Sequence, residues 1–191
     1  LAVAQTSAPA TPKAAPAKVD ASAAIEKKDA DGRFRKMHDS FLARGKQGPV
    51  GLLFLGDSIT AGWTKAPEVW KEHYEKYQPA NFGIGGDQTQ QVLWRLDHGN
   101  IDGIAPKMAV MMIGTNNAHS NTPEQIAEGI KAIVEKLQAK LPNTKILLLG
   151  IFPRGADNND PLRQINVKVN GIISELADDK TVFYLDIGPK F

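Results

Sequence analysis

Val50-Gly51-Leu52-Leu53-Phe54-Leu55-Gly56-Asp57-Ser58-Ile59-Thr60 is the stretch that decides the fold. Val50 to Leu55 carries no polar side chain, the pattern of a short strand buried on both faces rather than one that alternates between core and water. Gly56-Asp57-Ser58 then breaks the run with small residues suited to a turn into a helix. Further along, a second short strand is expected to end at Asn81-Phe82. Met108–Ile113, Lys145–Ile151 and Thr181–Leu185 read as the third, fourth and fifth. Helical patterns lie between them. The clearest runs from Thr122 to Lys140, with Ile126, Ile130, Ile133, Val134 and Leu137 at helical spacing. Thr122 suits an N-cap, Pro123 the first helical position, and Gln125 the third position of a capping box. Strand–helix alternation of this kind predicts an α/β domain, a parallel sheet with helices on both faces.

Upstream of Val50 the composition changes. Residues 5–24 are Ala-rich with Pro9, Pro12 and Pro16, too poor in apolar bulk to offset the entropy of ordering, so residues 1–24 read as a linker. Ala2-Val3-Ala4 before Gln5 resembles a signal-peptidase site, which predicts export to the periplasm or medium. Asp20 to Arg44 reads as a helix with Ile25, Phe34, Met37, Phe41 and Leu42 on its apolar side, ended by Gly45-Lys46-Gln47-Gly48-Pro49. Residues 25–48 therefore form a helical lead-in, and residues 49–191 the main domain.

Composition narrows the chemistry. The net charge of +2 is too small for nucleic acid to be the main partner, and nine Lys/Arg against five Asp/Glu between Lys13 and Lys46 make even that excess local. No cysteine is present, which removes disulfides, thiolate metal sites and cysteine nucleophiles. No run of about 18 apolar residues occurs, so no membrane-spanning helix is expected. A homo-oligomer is compatible with everything so far.

In an open parallel sheet, ligands bind beyond the carboxyl ends of the strands. Three polar, glycine-rich segments fall there: Gly56–Thr60, Gly83-Ile84-Gly85-Gly86-Asp87 and Gly114-Thr115-Asn116-Asn117. A serine at a strand-to-helix junction is exposed, and a helix start beside it favours negative charge. A glycine N–H and an asparagine amide are donors able to approach a developing oxyanion. Ser58, Gly86 and Asn116 thus make a candidate set for acyl transfer. Each segment alone has a blander reading as a turn or helix cap. Gly83-Ile84-Gly85-Gly86 is also not a dinucleotide fingerprint, because Gln88 stands where the third glycine belongs. The three together, in this order, carry the case. No cofactor and no metal are called for, and Asp157-Asn158-Asn159-Asp160 lacks the rest of a calcium loop.

Gly56-Asp57-Ser58, Gly86 and Gly114-Thr115-Asn116 resemble the first three sequence blocks of the SGNH (GDSL-type) hydrolases. Asn81–Asp87, Val92-Leu93-Trp94-Arg95-Leu96 and Phe152-Pro153-Arg154-Gly155 are similar to the platelet-activating-factor acetylhydrolase catalytic-subunit branch. The resemblance runs from about Val50 onward. It implies a flavodoxin-like, three-layer α/β/α fold with a five-stranded parallel sheet. It also implies a metal-independent esterase acting on short acyl esters of a phospholipid or carbohydrate, with Ser58 as nucleophile and Gly86 and Asn116 as oxyanion donors.

One block departs from the family. Its catalytic Asp and His belong to a D-x-x-H motif after the fifth strand, and no D-x-x-H occurs in this sequence. Of His38, His73, His98 and His119, only His119 falls near the strand ends, where it reads as a solvated loop residue. Asp186 reads as structural. The expectation is a hydrolase domain incomplete at its C-terminus. A non-catalytic carbohydrate- or lipid-binding domain on the same scaffold is the competing reading. A nucleotide- or flavin-binding protein is disfavoured by the acidic Asp57 in the first loop.

Overall fold

The computed structural model describes residues 19–190. The signal-peptidase reading of residues 2–5 and most of the linker reading fall outside them. Five strands form one sheet: β1 (Leu52–Gly56), β2 (Pro79–Gly83), β3 (Met108–Met112), β4 (Lys145–Leu149) and β5 (Val182–Leu185). All pairings are parallel, in the order β2-β1-β3-β4-β5. This is the flavodoxin-like order, in which the chain crosses from β1 outward to β2 and then back over to β3. β1, β3, β4 and β5 lie where apolar runs predicted them, with ends moved by one or two residues, and β2 ends one residue past the expected Asn81-Phe82.

The helices are α1 (Arg33–Lys46), α2 (Ser58–Ala61), α3 (Pro67–Tyr74), α4 (Thr89–Asp97), α5 (Pro123–Lys140) and α6 (Pro161–Ile173). One side of the sheet, carried by Leu53, Leu55, Ala109, Met111, Ile146 and Leu148, packs against buried residues of α1, α4, α5 and α6. On the other side Phe54 meets Trp63, Trp70 and Tyr74 from the α2–α3 region in an aromatic cluster. The expected capping box of α5 is present: Thr122 Oγ1 accepts from Gln125 N, and Gln125 Oε1 accepts from Thr122 N at 3.0 Å.

The lead-in differs from its sequence reading. Helix α1 starts at Arg33, not near Asp20, because Asp29 Oδ2 accepts the Phe34 N–H at 2.7 Å and Gly32 adopts a left-handed conformation. Residues 19–32 form instead an irregular strap laid along the start of α4. Thr89 Oγ1 donates to Ala21 O at 2.7 Å, Ile25 N to Gln90 O at 3.1 Å, and Asn121 Nδ2 to Val19 O at 2.8 Å. Ala21 is buried while Val19 and Ile25 are exposed, so the end of the compositional linker is anchored to the domain at Ala21 and through the Val19 carbonyl.

Candidate active site

Register assembles the site. Gly56 at the end of β1 pairs with Gly83 of β2 and with Met112 of β3. The segments that follow therefore leave the sheet side by side, at the point where the chain switches direction across it. Ser58 begins α2 and is exposed. Asp57 turns the chain, its Oδ1 accepting the Ile59 N–H at 2.9 Å. Burial pushes the Asp57 carboxyl up to about 6. The helix start expected beside Ser58 is only one turn of α-helix, so the dipole offers little there and the donors of the neighbouring loops matter more.

β2 approaches that turn closely. A side chain at Gly83 would run into Ala61 N and come within 2.8 Å of Asp57 O, which only glycine tolerates. Asn81 ties the two segments together, its Nδ2 donating to Thr60 O at 2.9 Å and its Oδ1 accepting from Gly83 N at 3.0 Å. Beyond Gly83, Ile84–Asp87 is a β-turn closed by Asp87 N donating to Ile84 O at 3.2 Å. Gly86 has φ 75° while Gly85 is not in the positive-φ region, which makes the turn type II. The turn abuts the serine: a Cβ built on Gly85 would sit 3.8 Å from Ser58 Cβ. Gly86 N–H has no hydrogen-bond partner among the described residues.

Asn116 follows β3 and is bonded into the same rim. Its Nδ2 donates to Asp87 O at 2.8 Å, and Gln88 Nε2 donates to Asn116 O at 3.0 Å. The structure thus brings the second and third loops together directly, and the second against Ser58. Two residues that fall in segments already singled out prove to be supports, a role the sequence did not show. Asn117, fully buried, accepts from Thr89 N at 3.0 Å and donates to Gln90 Oε1 at 2.9 Å, joining the β3 loop to α4. Arg95, also fully buried, holds Asp87 Oδ2 at 3.1 Å and donates to Phe82 O and Asn100 Oδ1. Burial raises the Asp87 carboxyl to about 6 against the opposing pull of Arg95.

None of the four histidines hydrogen-bonds to Ser58 among the described residues. His38 is buried against Trp94, and His98 stacks on the same indole. His73 lies on α3, and the exposed His119 sits 3.4 Å from Arg154, whose other nitrogen donates to Thr115 O. Asp186 accepts from Gly188 N at 2.8 Å, a local turn contact. Asp160 caps α6 by accepting from Leu162 N and Arg163 N, so Asp157–Asp160 is a turn and helix cap. An apolar hollow of about 510 Å³ runs from Ile59 and Thr60 along Phe54, Val110, Met112 and Leu149.

The sequence model of the GDSL-like lipase/acylhydrolase family matches residues 54–191. Platelet-activating factor acetylhydrolase IB subunit alpha1 of Homo sapiens is 41% identical over 162 residues, 84% of this chain and 69% of that protein. The alpha2 subunit of Rattus norvegicus is 43% identical over 169 residues, 88% of this chain and 72% of its own length. Among solved structures, a GDSL-like lipase from Bacteroides thetaiotaomicron matches with a TM-score of 0.61 at 20% identity, covering 80% of this chain and 78% of that one. This last likeness is one of fold.

Proposed function

Since the chain belongs to the GDSL-like lipase/acylhydrolase family and is a carboxylic ester hydrolase, we propose that it removes short acyl groups, acetyl foremost, from a phospholipid or carbohydrate ester through an acyl-serine intermediate. The observation that supports this reading is that the Ile84–Asp87 turn abuts Ser58, a Cβ on Gly85 lying 3.8 Å from Ser58 Cβ, while Asn116 Nδ2 is bonded to Asp87 O of the same turn. In the proposed cycle Ser58 Oγ attacks the ester carbonyl carbon, and its proton passes to a general base, a role that none of the four histidines is placed to fill among the described residues. The carbonyl oxygen becomes an oxyanion facing the Gly86 N–H and Asn116 Nδ2. The carbon–alkoxide bond breaks, the alcohol leaves with a proton, and the acyl group stays on Ser58. Water then repeats the attack and releases the carboxylic acid. The acetyl preference is drawn from the relatives, which are named acetylhydrolases. An exported location, as Ala2-Val3-Ala4 suggests, would favour acetylated glycans as the natural esters.

The test is a hydrolysis panel of p-nitrophenyl acetate, butyrate and octanoate, with an acetylated phospholipid and an acetylated xylo-oligosaccharide. Acetate turnover well above octanoate is expected, together with an acetylated Ser58 peptide on rapid acid quench and loss of both in Ser58→Ala. Undiminished turnover by Ser58→Ala would overturn the reading.

A further inference from the structure

Gly85 C=O and Gly86 N–H are the two ends of one trans peptide, so fixing one fixes the other. That peptide is the centre of the Ile84–Asp87 type II turn. Types I and II differ by a half-rotation of the central peptide, and a Gly-Gly pair accepts both at little steric cost. A type I turn would reverse the carbonyl and carry the Gly86 N–H to the opposite side. A contact that would bias the choice comes from far away in sequence. Lys27 Nζ, reaching in from the strap, donates to Gly85 O at 2.7 Å. The same ammonium lies 3.8 Å from Asp87 Oδ1, an otherwise unbonded buried carboxylate oxygen. The lysine side chain is 27% exposed, so the bond is only partly open to competition from water.

We propose that Lys27 is a positioning residue for the oxyanion donor: its bond to Gly85 O locks the Gly85–Gly86 peptide so that the Gly86 N–H stays presented beside Ser58. This rests on the acyl-serine reading for the role of that N–H, but not for the orientation of the peptide. A charged donor also makes the stronger kind of hydrogen bond and draws electron density from the amide, which sharpens the N–H as a donor.

The experiment compares wild type, Lys27→Met and Lys27→Arg on p-nitrophenyl acetate, with ¹⁵N relaxation dispersion recorded on the Gly86 amide and melting temperatures as a check on folding. Lys27→Met is expected to lower kcat about tenfold with KM within about twofold, because a turn that flips still presents the donor part of the time; outright loss of an oxyanion donor costs roughly 10²–10³-fold. Lys27→Arg should recover most of kcat, since a guanidinium also donates to a carbonyl. The Gly86 amide should show microsecond–millisecond exchange in the Met variant and none in wild type. Wild-type kcat together with an unchanged Gly86 amide in Lys27→Met would overturn the proposal. If Ser58→Ala proved fully active, the acyl-serine reading would fall, and the Gly86 amide alone would decide the role of Lys27: exchange in the Met variant supports it, and an unmoved signal ends it.

Discussion

Asn116 Nδ2 donates to the backbone carbonyl of Asp87 at 2.8 Å, so one of its two N–H bonds is committed to the neighbouring loop while the second has no partner among the described residues. An amide held by one hydrogen and free at the other is pre-organised for a charge that appears only during reaction. Asn116→Ala should therefore lower kcat by roughly 10²–10³-fold with little change in KM. Steady-state kinetics on an acetyl ester check this, and a loss confined to KM would make Asn116 a ground-state contact instead.

Gly86 has φ 75°, and a Cβ there would lie 2.9 Å from Lys27 Nζ. The lysine tip can move aside, but the backbone conformation cannot be made comfortable for an L side chain. Gly86→Ala should cost about 1–3 kcal/mol if the type II turn is kept. Relief by a flip of the turn would instead show as lost kcat. Urea unfolding and kinetics together separate the two, and a variant normal in both would remove the conformational argument.

Asp57 makes stability depend on pH. Its folded-state carboxyl is raised to about 6 by burial, so the native state binds the proton more tightly than the unfolded chain does. The sign follows: this contribution is fully present below about pH 4 and is lost as pH rises through about 6. Asn at this position keeps an oxygen for Ile59 N and carries no charge. The stability of Asp57→Asn relative to wild type should improve by about 2–3 kcal/mol between pH 4 and pH 7. Urea melts across that range test it, and parallel curves for the two proteins would contradict it.

Arg95 and Asp87 form an ion pair with both side chains fully buried. Removing Arg95 leaves the buried Asp87 carboxylate with only the Lys27 ammonium, 3.8 Å away, so Arg95→Met should destabilise by about 3–5 kcal/mol. Adding Asp87→Asn should recover part of that loss, because the stranded charge goes with it. A double variant no more stable than Arg95→Met would locate the cost in the lost bonds to Phe82 O and Asn100 instead.

The strands were legible because buried parallel strands write themselves as unbroken apolar runs, as Leu52–Leu55 and Met108–Met112 do. The start of α5 was legible because Thr122, Pro123 and Gln125 act within one turn of chain. Ser58, Gly86 and Asn116 could be picked out because each follows a strand, and the sheet order then brings their loops together. The start of α1 was not legible. Residues 20–32 hold four Ala, two Lys and one Glu, good helix formers, yet their backbone groups find partners in Gln90, Thr89 and Gln91. Local propensity carries no record of such distant bonds. The same holds for Lys27 and Gly85, and for Arg95, whose acidic partner lies before its helix rather than on one of its faces.

The strap is also the weakly anchored part of the domain. Its bonds join Lys27 to Gly85, Ile25 to Gln91, Ala21 to Thr89 and Val19 to Asn121, spanning 58, 66, 68 and 102 residues. Among residues 19–32 only Ala21 is buried, so the strap is held by separate hydrogen bonds rather than by core packing, and such contacts open early. The turn that carries Gly86 would thus lose its Lys27 contact whenever the strap opens. The Ile25 amide, bonded to Gln90 O, should exchange with solvent much faster than amides of β1. On mild destabilisation the strap, and with it the support of the Gly85–Gly86 turn, would be lost before the core.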